Sequence, residues 1–321
     1  MPISIKPYDP RYADQWDEFV RTSMNGTIFH TQKFLGYHPK NKFSWNHLLF
    51  FENDDLIAVL PGALVGTTYE SPIGASYGSL VVQDMPFNKY IDLVDVFSDF
   101  CRQQSYERAL LTPAPIIYQS VLQQNLDYAL AYRGYTFDKH YISHVIEVLP
   151  HDPIPHFQST TRRYIHKYLR EHHIEVQISR DIESFYPILV ENKARHGVTP
   201  THSLEDLKIL RKLFPEEIVL FMVYHRGNPI AGSLNFVCNQ QVLLVFYNML
   251  DYRYEKFHPI HVVMYEVYRW AQMKGFKWID IGVSQDTKAE DHMTPAYSLI
   301  KFKEKFNAKG VMRSTYYKRF L

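Results

Sequence analysis

Apolar and polar positions alternate with two periods along this chain, and the period changes wherever proline, glycine or clustered asparagine and aspartate interrupt it. A short extended run at Ile3 to Ile5 precedes a helical pattern from Tyr12 to Val20. β-Branched and alternating runs follow at His47 to Phe51, Leu56 to Val65 and Ser76 to Val82, separated by Asn53-Asp54-Asp55 and by Ser71-Pro72-Ile73-Gly74. They predict a meander of strands. Ile91, Val94, Phe97 and Cys101 stand near helical spacing in a helix expected over Tyr90 to Gln104, which leads into a strand at Arg108 to Leu111. A helix over Ile117 to Arg133 and a strand over Ile142 to Val148 complete this half.

Leu149 to Pro155 holds three prolines within six residues, which bars regular helix or central strand and suits a connector. Beyond it a similar order returns. Helix is predicted over Thr160 to His172, strand over Ile174 to Ile178, and helices over Ile182 to His196 and Leu204 to Phe214. Strands at Val219 to Tyr224 and Pro229 to Val237 flank the turn-forming Arg226-Gly227-Asn228. A strand at Gln241 to Met249, a helix from Pro259 to Lys274 and a strand at Trp278 to Ile281 follow. The expected fold class is α/β, with mixed sheets in two tandem lobes, residues 1–149 and 150–321.

A chain of 321 residues accommodates two such lobes, and 46% hydrophobic with 21% charged residues is ordinary for globular cores. The 35 basic and 34 acidic residues nearly cancel, so any surface for nucleic acid or anionic membrane must be local. Cys101 and Cys238 are far apart and outside any CxxC pair, which fits a reducing compartment. The polar, proline-punctuated start lacks the order of a signal peptide, and no run approaches the roughly 18 apolar residues of a membrane span. A cytoplasmic protein without a membrane span is expected.

Three segments carry a resemblance. They are Thr161-Arg162-Arg163-Tyr164-Ile165-His166-Lys167 after the connector, Arg226-Gly227-Asn228-Pro229-Ile230-Ala231-Gly232 between two strands, and Trp278-Ile279-Asp280-Ile281-Gly282 followed by Ile300-Lys301-Phe302-Lys303-Glu304-Lys305-Phe306. In order and spacing they resemble the FemAB-like and BioF2-like acyltransferases of the GNAT superfamily. The likeness spans most of the second lobe and, more weakly, the first. It implies two GNAT-like lobes and transfer of an acetyl, longer acyl or aminoacyl group to an amine, on a small molecule or a peptide. The co-substrate would be acyl-CoA or aminoacyl-tRNA, with no permanently bound cofactor, so tRNA is a conceivable partner. The chain departs from the family at Tyr168, His173 and Asn307. It also carries Asp251-Tyr252-Arg253-Tyr254-Glu255-Lys256-Phe257-His258 where ordinary GNAT enzymes have a glycine-rich pyrophosphate loop.

The residues themselves offer several candidates. Pro259 at a helix start leaves amides expected to be free at Ile260, His261 and Val262, and Arg253, Lys256 and His258 just before them would add charge to an anion-binding corner. Asp280 lies on an apolar strand where desolvation would favour a base, or else serves as a buried hydrogen-bond acceptor. Tyr247 and Asn248 could bond a substrate carbonyl or relay a proton, or merely pack. Lys301, Lys303 and Lys305 form a cationic row only if their segment is extended. Arg163, His166, Lys167 and Arg170 share one helix face, either a nucleic-acid contact or a solvated surface. Neither His172-His173 nor His258 with His261 has zinc-helix spacing, and no metal is expected. An alternative of another class is a non-catalytic module on the same fold, binding a peptide or glycan precursor, for which twenty-four tyrosines could line a groove.

Overall fold

In the computed structural model, which describes residues 2–171, 173–286 and 288–320, the first half opens with β1 (Ile3–Pro7), α1 (Ala13–Thr22) and the short α2 (Gln32–Leu35). Six short strands follow: β2 (Ser44–Trp45), β3 (Leu48–Glu52), β4 (Asp55–Leu60), β5 (Ala63–Val65), β6 (Thr68–Ser71) and β7 (Val81–Val82). Next come α3 (Phe87–Gln103), β8 (Arg108–Leu111), α4 (Asn125–Tyr132) and β9 (Thr136–Glu147). The later part contains α5 (Ser159–Glu171), β10 (Ile174–Ser179), α6 (Ile182–Arg195), α7 (Leu204–Leu213), β11 (Ile218–His225), β12 (Asn228–Val237) and β13 (Val242–Leu250). It ends with α8 (Pro259–Lys274), β14 (Trp278–Val283), α9 (Tyr297–Glu304) and β15 (Lys309–Arg319).

These elements form two compact units. One takes the chain up to Ile142 together with Gln285–Thr294 and Val311 onward; the other takes Ser143–Ser284 and Pro295–Gly310. The division falls inside β9, where Ser143, Val145, Ile146 and Glu147 pair with β14 of the second unit. Two later segments also return to the first unit.

In the first unit β1, β3, β4 and β7 form an antiparallel sheet, while β8 lies between β6 and the far end of β15, and β5 and β2 extend from β6. Tyr90, Leu93, Val94, Phe97 and Cys101 on α3 are fully buried against Leu48, Phe50, Ala58 and Leu60. Each large side chain so removed from water contributes about 1.5–3 kcal/mol. The helix expected over Ile117 to Arg133 is replaced by a single 3-10 turn at Ile116–Tyr118 and, later, by α4. Tertiary bonds capture the intervening backbone and side chains: the Ser120 amide donates to the Met24 carbonyl at 2.8 Å, and the Gln123 amide reaches Tyr90.

In the second unit the strand order is β10-β11-β12-β13-β14-β9, antiparallel except for the β13 and β14 pair. The helix α8 packs on β11, β12 and β13. It buries Ile260, Val263, Met264, Val267 and Ala271, but also Val262, Tyr265 and Tyr268, so it is apolar almost all round and lies within the core. Pro259 starts it and Gly275, at φ 79°, ends it in the left-handed conformation that glycine adopts without a steric penalty. On β12, Gly232 lets α6 approach closely, since a Cβ there would stand 2.6 Å from the Phe185 ring.

Candidate functional site

The parallel pair β13 and β14 is hydrogen-bonded at three positions only, Val242 with Trp278, Leu243 with Ile279 and Leu244 with Asp280. β13 then runs on to Leu250 alongside β12, while β14 stays with β9. Where they part, the β12 register skips from Leu234 opposite Tyr247 to Asn235 opposite Val245, leaving Phe246 as an extra residue. A bulge of this kind bends its strand and sharpens the local twist. Beyond Leu244, the described residues pair no strand with the β14 side of β13.

Tyr247 sits on this stretch, 2% exposed, with its hydroxyl 3.0 Å from His202 Nδ1. Burial pushes its phenol up, partly countered by hydrogen bonds from Thr201 and His202, so the phenol stays protonated near neutrality and can donate. His202 is the residue that the sequence reading passed over. Its signal was adjacent: Ser203 and Asp206 form a capping box at the start of α7, which fixes the end of the loop that carries His202. The Lys193 amine lies 5.6 Å from the Tyr247 ring, and burial lowers its proton affinity. Asn248 faces an unusual situation. Its Oδ1 is buried with no hydrogen-bond partner among the described residues.

Asp280 is wholly buried, and its Oδ1 accepts from the Ser143 hydroxyl at 2.7 Å and from the Gly282 amide at 2.8 Å. Through Ser143 it ties the end of β14 to β9. Lys303 does not join a surface row. Its segment is the helix α9, which places Lys303 inward at 5% exposure and leaves Lys301 exposed. The Lys303 ammonium donates to Gly282 O at 2.7 Å, Val283 O at 2.8 Å and Ser284 Oγ at 2.9 Å. Burial lowers its pKa to about 8, against the upward pull of the Asp280 carboxylate.

The anion-binding corner at the start of α8 differs from the expectation in its donors. The amides of His261 and Val262 both point to the His258 carbonyl, so two of the three amides expected to be free are already bonded. The preceding 3-10 segment Tyr252–Phe257 likewise consumes its own amides, with Tyr254 donating to Asp251 O and His258 to Glu255 O. Arg253 is held by Asp251 through three contacts of 2.6 to 3.0 Å, which neutralises it locally. Side chains remain. His258 occupies the left-handed region at φ 53° and stacks on Tyr164 at 3.5 Å; burial and the charges of Lys167, Arg163 and Lys305 lower its pKa. Lys167, Lys256, Tyr164 and His258 line a recess of about 60 Å³. Thus Lys256 and His258 come together, whereas Tyr247 and Asn248 belong to β13, and Asp280 and Lys303 to the end of β14.

Residues 155–292 match the family model described as an acetyltransferase (GNAT) domain. Among curated proteins none matches the chain by sequence. Among solved structures, FemX is similar with a TM-score of 0.72 at 12% identity, covering 98% of this chain and 97% of that one. L-PGS from Bacillus licheniformis gives 0.64 at 12% identity, covering 98% and 93%. A tandem GNAT protein from the clavulanic acid biosynthesis pathway, solved without AcCoA, gives 0.57 at 8% identity, covering 99% of each chain. Residues 155–292 are thus similar to an acetyltransferase (GNAT) domain, and the fold of the whole chain is similar to those of FemX and L-PGS.

Proposed function

We propose that the protein transfers an acyl or aminoacyl group from a phosphate-bearing donor to an amine, with the reacting groups beside the opening between β13 and β14. The carrying observation is that opening itself: two parallel strands that part after Leu244 and Asp280, inside the segment that matches an acetyltransferase domain. An extended acyl chain or its linker hydrogen-bonds to the free edge of β13, and an N–H of the ligand satisfies the buried Asn248 Oδ1.

Transfer requires a neutral amine, a route for its proton and a donor for the developing oxyanion. Tyr247 donates to the carbonyl or passes a proton to His202 Nδ1, with which it is already hydrogen-bonded. Asp280 then acts by holding Gly282 and Ser143 in place, and only its charge reaches Lys303. The phosphates of the donor are gripped by side chains, Lys167, Lys256 and His258 with Arg163 and Lys305 nearby, since the local amides are spent within the backbone. Recognition by side-chain cations favours an aminoacyl-tRNA donor over acyl-CoA, whose diphosphate is usually cradled by free amides. Both cysteines are buried thiols, in keeping with a reducing compartment such as the cytoplasm.

Thermal unfolding with acetyl-CoA, a longer acyl-CoA or charged tRNA tests the reading, because a ligand at 100 times its Kd stabilises by about 2.7 kcal/mol. A shift with tRNA that Lys167→Glu with Lys256→Glu removes supports the aminoacyl branch. A shift with acyl-CoA alone moves the donor to coenzyme A, and no shift with any of them favours a non-catalytic module.

A further inference from the structure

The Lys303 ammonium has three protons and three acceptors, all from the consecutive residues Gly282, Val283 and Ser284. Two acceptors are carbonyls, whose oxygens can only accept. The third is a hydroxyl, which could equally turn its own proton toward the ammonium and lose the bond. What prevents this is on β9. His144, 3% exposed, places Nδ1 at 2.9 Å from Ser284 Oγ. Because an ammonium only donates, the Ser284 oxygen accepts from Lys303, which leaves its hydroxyl proton and one further lone pair to face His144 Nδ1. With the hydroxyl donating, the imidazole is neutral and carries its own proton on Nε2.

The charged groups acting on His144 are Lys303 and Glu304 of α9 and Asp280 of β14. Burial and the Lys303 charge outweigh the two carboxylates, which keeps the ring unprotonated at neutral pH. Ser143, the neighbour of His144, meanwhile donates to Asp280. Adjacent residues of β9 thus hold the two ionic groups at the end of β14, one directly and one through a serine.

We propose that Ser284 and His144 are positioning residues for Lys303: His144 takes the Ser284 proton, which makes Ser284 the third acceptor of the ammonium and keeps it charged and anchored on β14. Lys303 is anchored just beyond the last position at which β14 pairs with β13, so the inference rests on the proposed reading of that opening as the reaction site. Protonation of His144 reverses the line. Its Nδ1–H would then donate to the same oxygen, leave the hydroxyl proton without its acceptor and add a second positive charge beside the first, so the two groups titrate as a coupled pair.

Solution NMR of protein carrying ¹³C-labelled lysine, with the Lys303 signal assigned from Lys303→Met, reads this directly and needs no substrate, so a failed donor screen leaves the result interpretable. Ser284→Ala should lower the Lys303 titration midpoint by about one pH unit, the size of one hydrogen bond to a charged group. His144→Ala should lower it in the same direction, and His144→Asn, whose side-chain oxygen stands near the position of Nδ1, should restore it. Unchanged Lys303 titration in both alanine variants overturns the proposal. Should His144→Ala fail to fold, the wild-type curve decides: a second inflection, below the ordinary histidine range, is required, and a single-step curve refutes the coupling.

Discussion

Replacing Asp280 separates its role as an acceptor from its role as a charge. The bonds from Ser143 and Gly282 end on the same oxygen, Oδ1. In Asp280→Asn the amide oxygen can take that place and keep both, with a weakening of about 1–2 kcal/mol as a charged acceptor becomes neutral. In Asp280→Ala both donors lose their acceptor at a site with no solvent access. Each costs about 1–3 kcal/mol, so about 2–6 kcal/mol is expected in all. Because two compact units need not unfold together, local stability is best read from hydrogen exchange of peptides spanning β14 under native conditions, beside a urea titration of the whole chain. Equal loss in the two variants, or a loss under about 1 kcal/mol in the alanine variant, would refute the argument. Asp280→Asn should also lower the Lys303 pKa from about 8, because the carboxylate that favours the ammonium is gone. Transfer activity retained in Asp280→Asn would exclude Asp280 as the base.

Other perturbations have equally definite outcomes. Burial holds His30, His47 and His261 at about 4, so below the ordinary 6.5 the unfolded chain binds protons that the native chain refuses. Their contribution to stability is full above pH 6.5 and declines toward pH 4, by up to about 1.4 kcal/mol per pH unit for each ring; flat urea midpoints over that window would contradict this. Tyr247→Phe removes the hydroxyl hydrogen-bonded to His202 Nδ1 and should cut kcat/KM for the true donor and acceptor by about 10²-fold, with Tm little changed. Reversing Lys167 and Lys256 together should raise the KM for a phosphate-bearing donor and flatten its salt dependence; an unaltered salt slope would remove the recess from the donor site. Gly232→Ala drives a methyl group into the Phe185 ring and should cost about 1–3 kcal/mol, measured by urea unfolding.

Much of the fold was legible because its elements carry their own signals. The helix Pro259 to Lys274 coincides with α8, bounded by a proline suited to a first turn and a glycine suited to an ending. The hairpin of β11 and β12 was marked by Arg226-Gly227-Asn228 between two apolar runs, and Arg226 and Gly227 take the positive φ that such a turn demands. By contrast β15 reads as a polar stretch, with Tyr316 its one fully buried residue, and becomes a strand because β8 offers a ladder partner. No local pattern announces such a strand.

The candidate site divides along the same line. The sequence by itself determined the types of group at hand: a carboxylate on an apolar strand, a tyrosine and an asparagine near a strand end, and cations around a proline-initiated helix. Only the tertiary structure decided their company. It parted β13 from β14, turned Lys303 inward, spent the loop amides on the backbone, and set His202 against Tyr247 and His144 against Ser284. The physical reason is range. Periodicity and capping act over a few residues, whereas the bonds Tyr247 to His202 and His144 to Ser284 join positions 45 and 140 residues apart, which only the closed sheet brings within hydrogen-bonding distance.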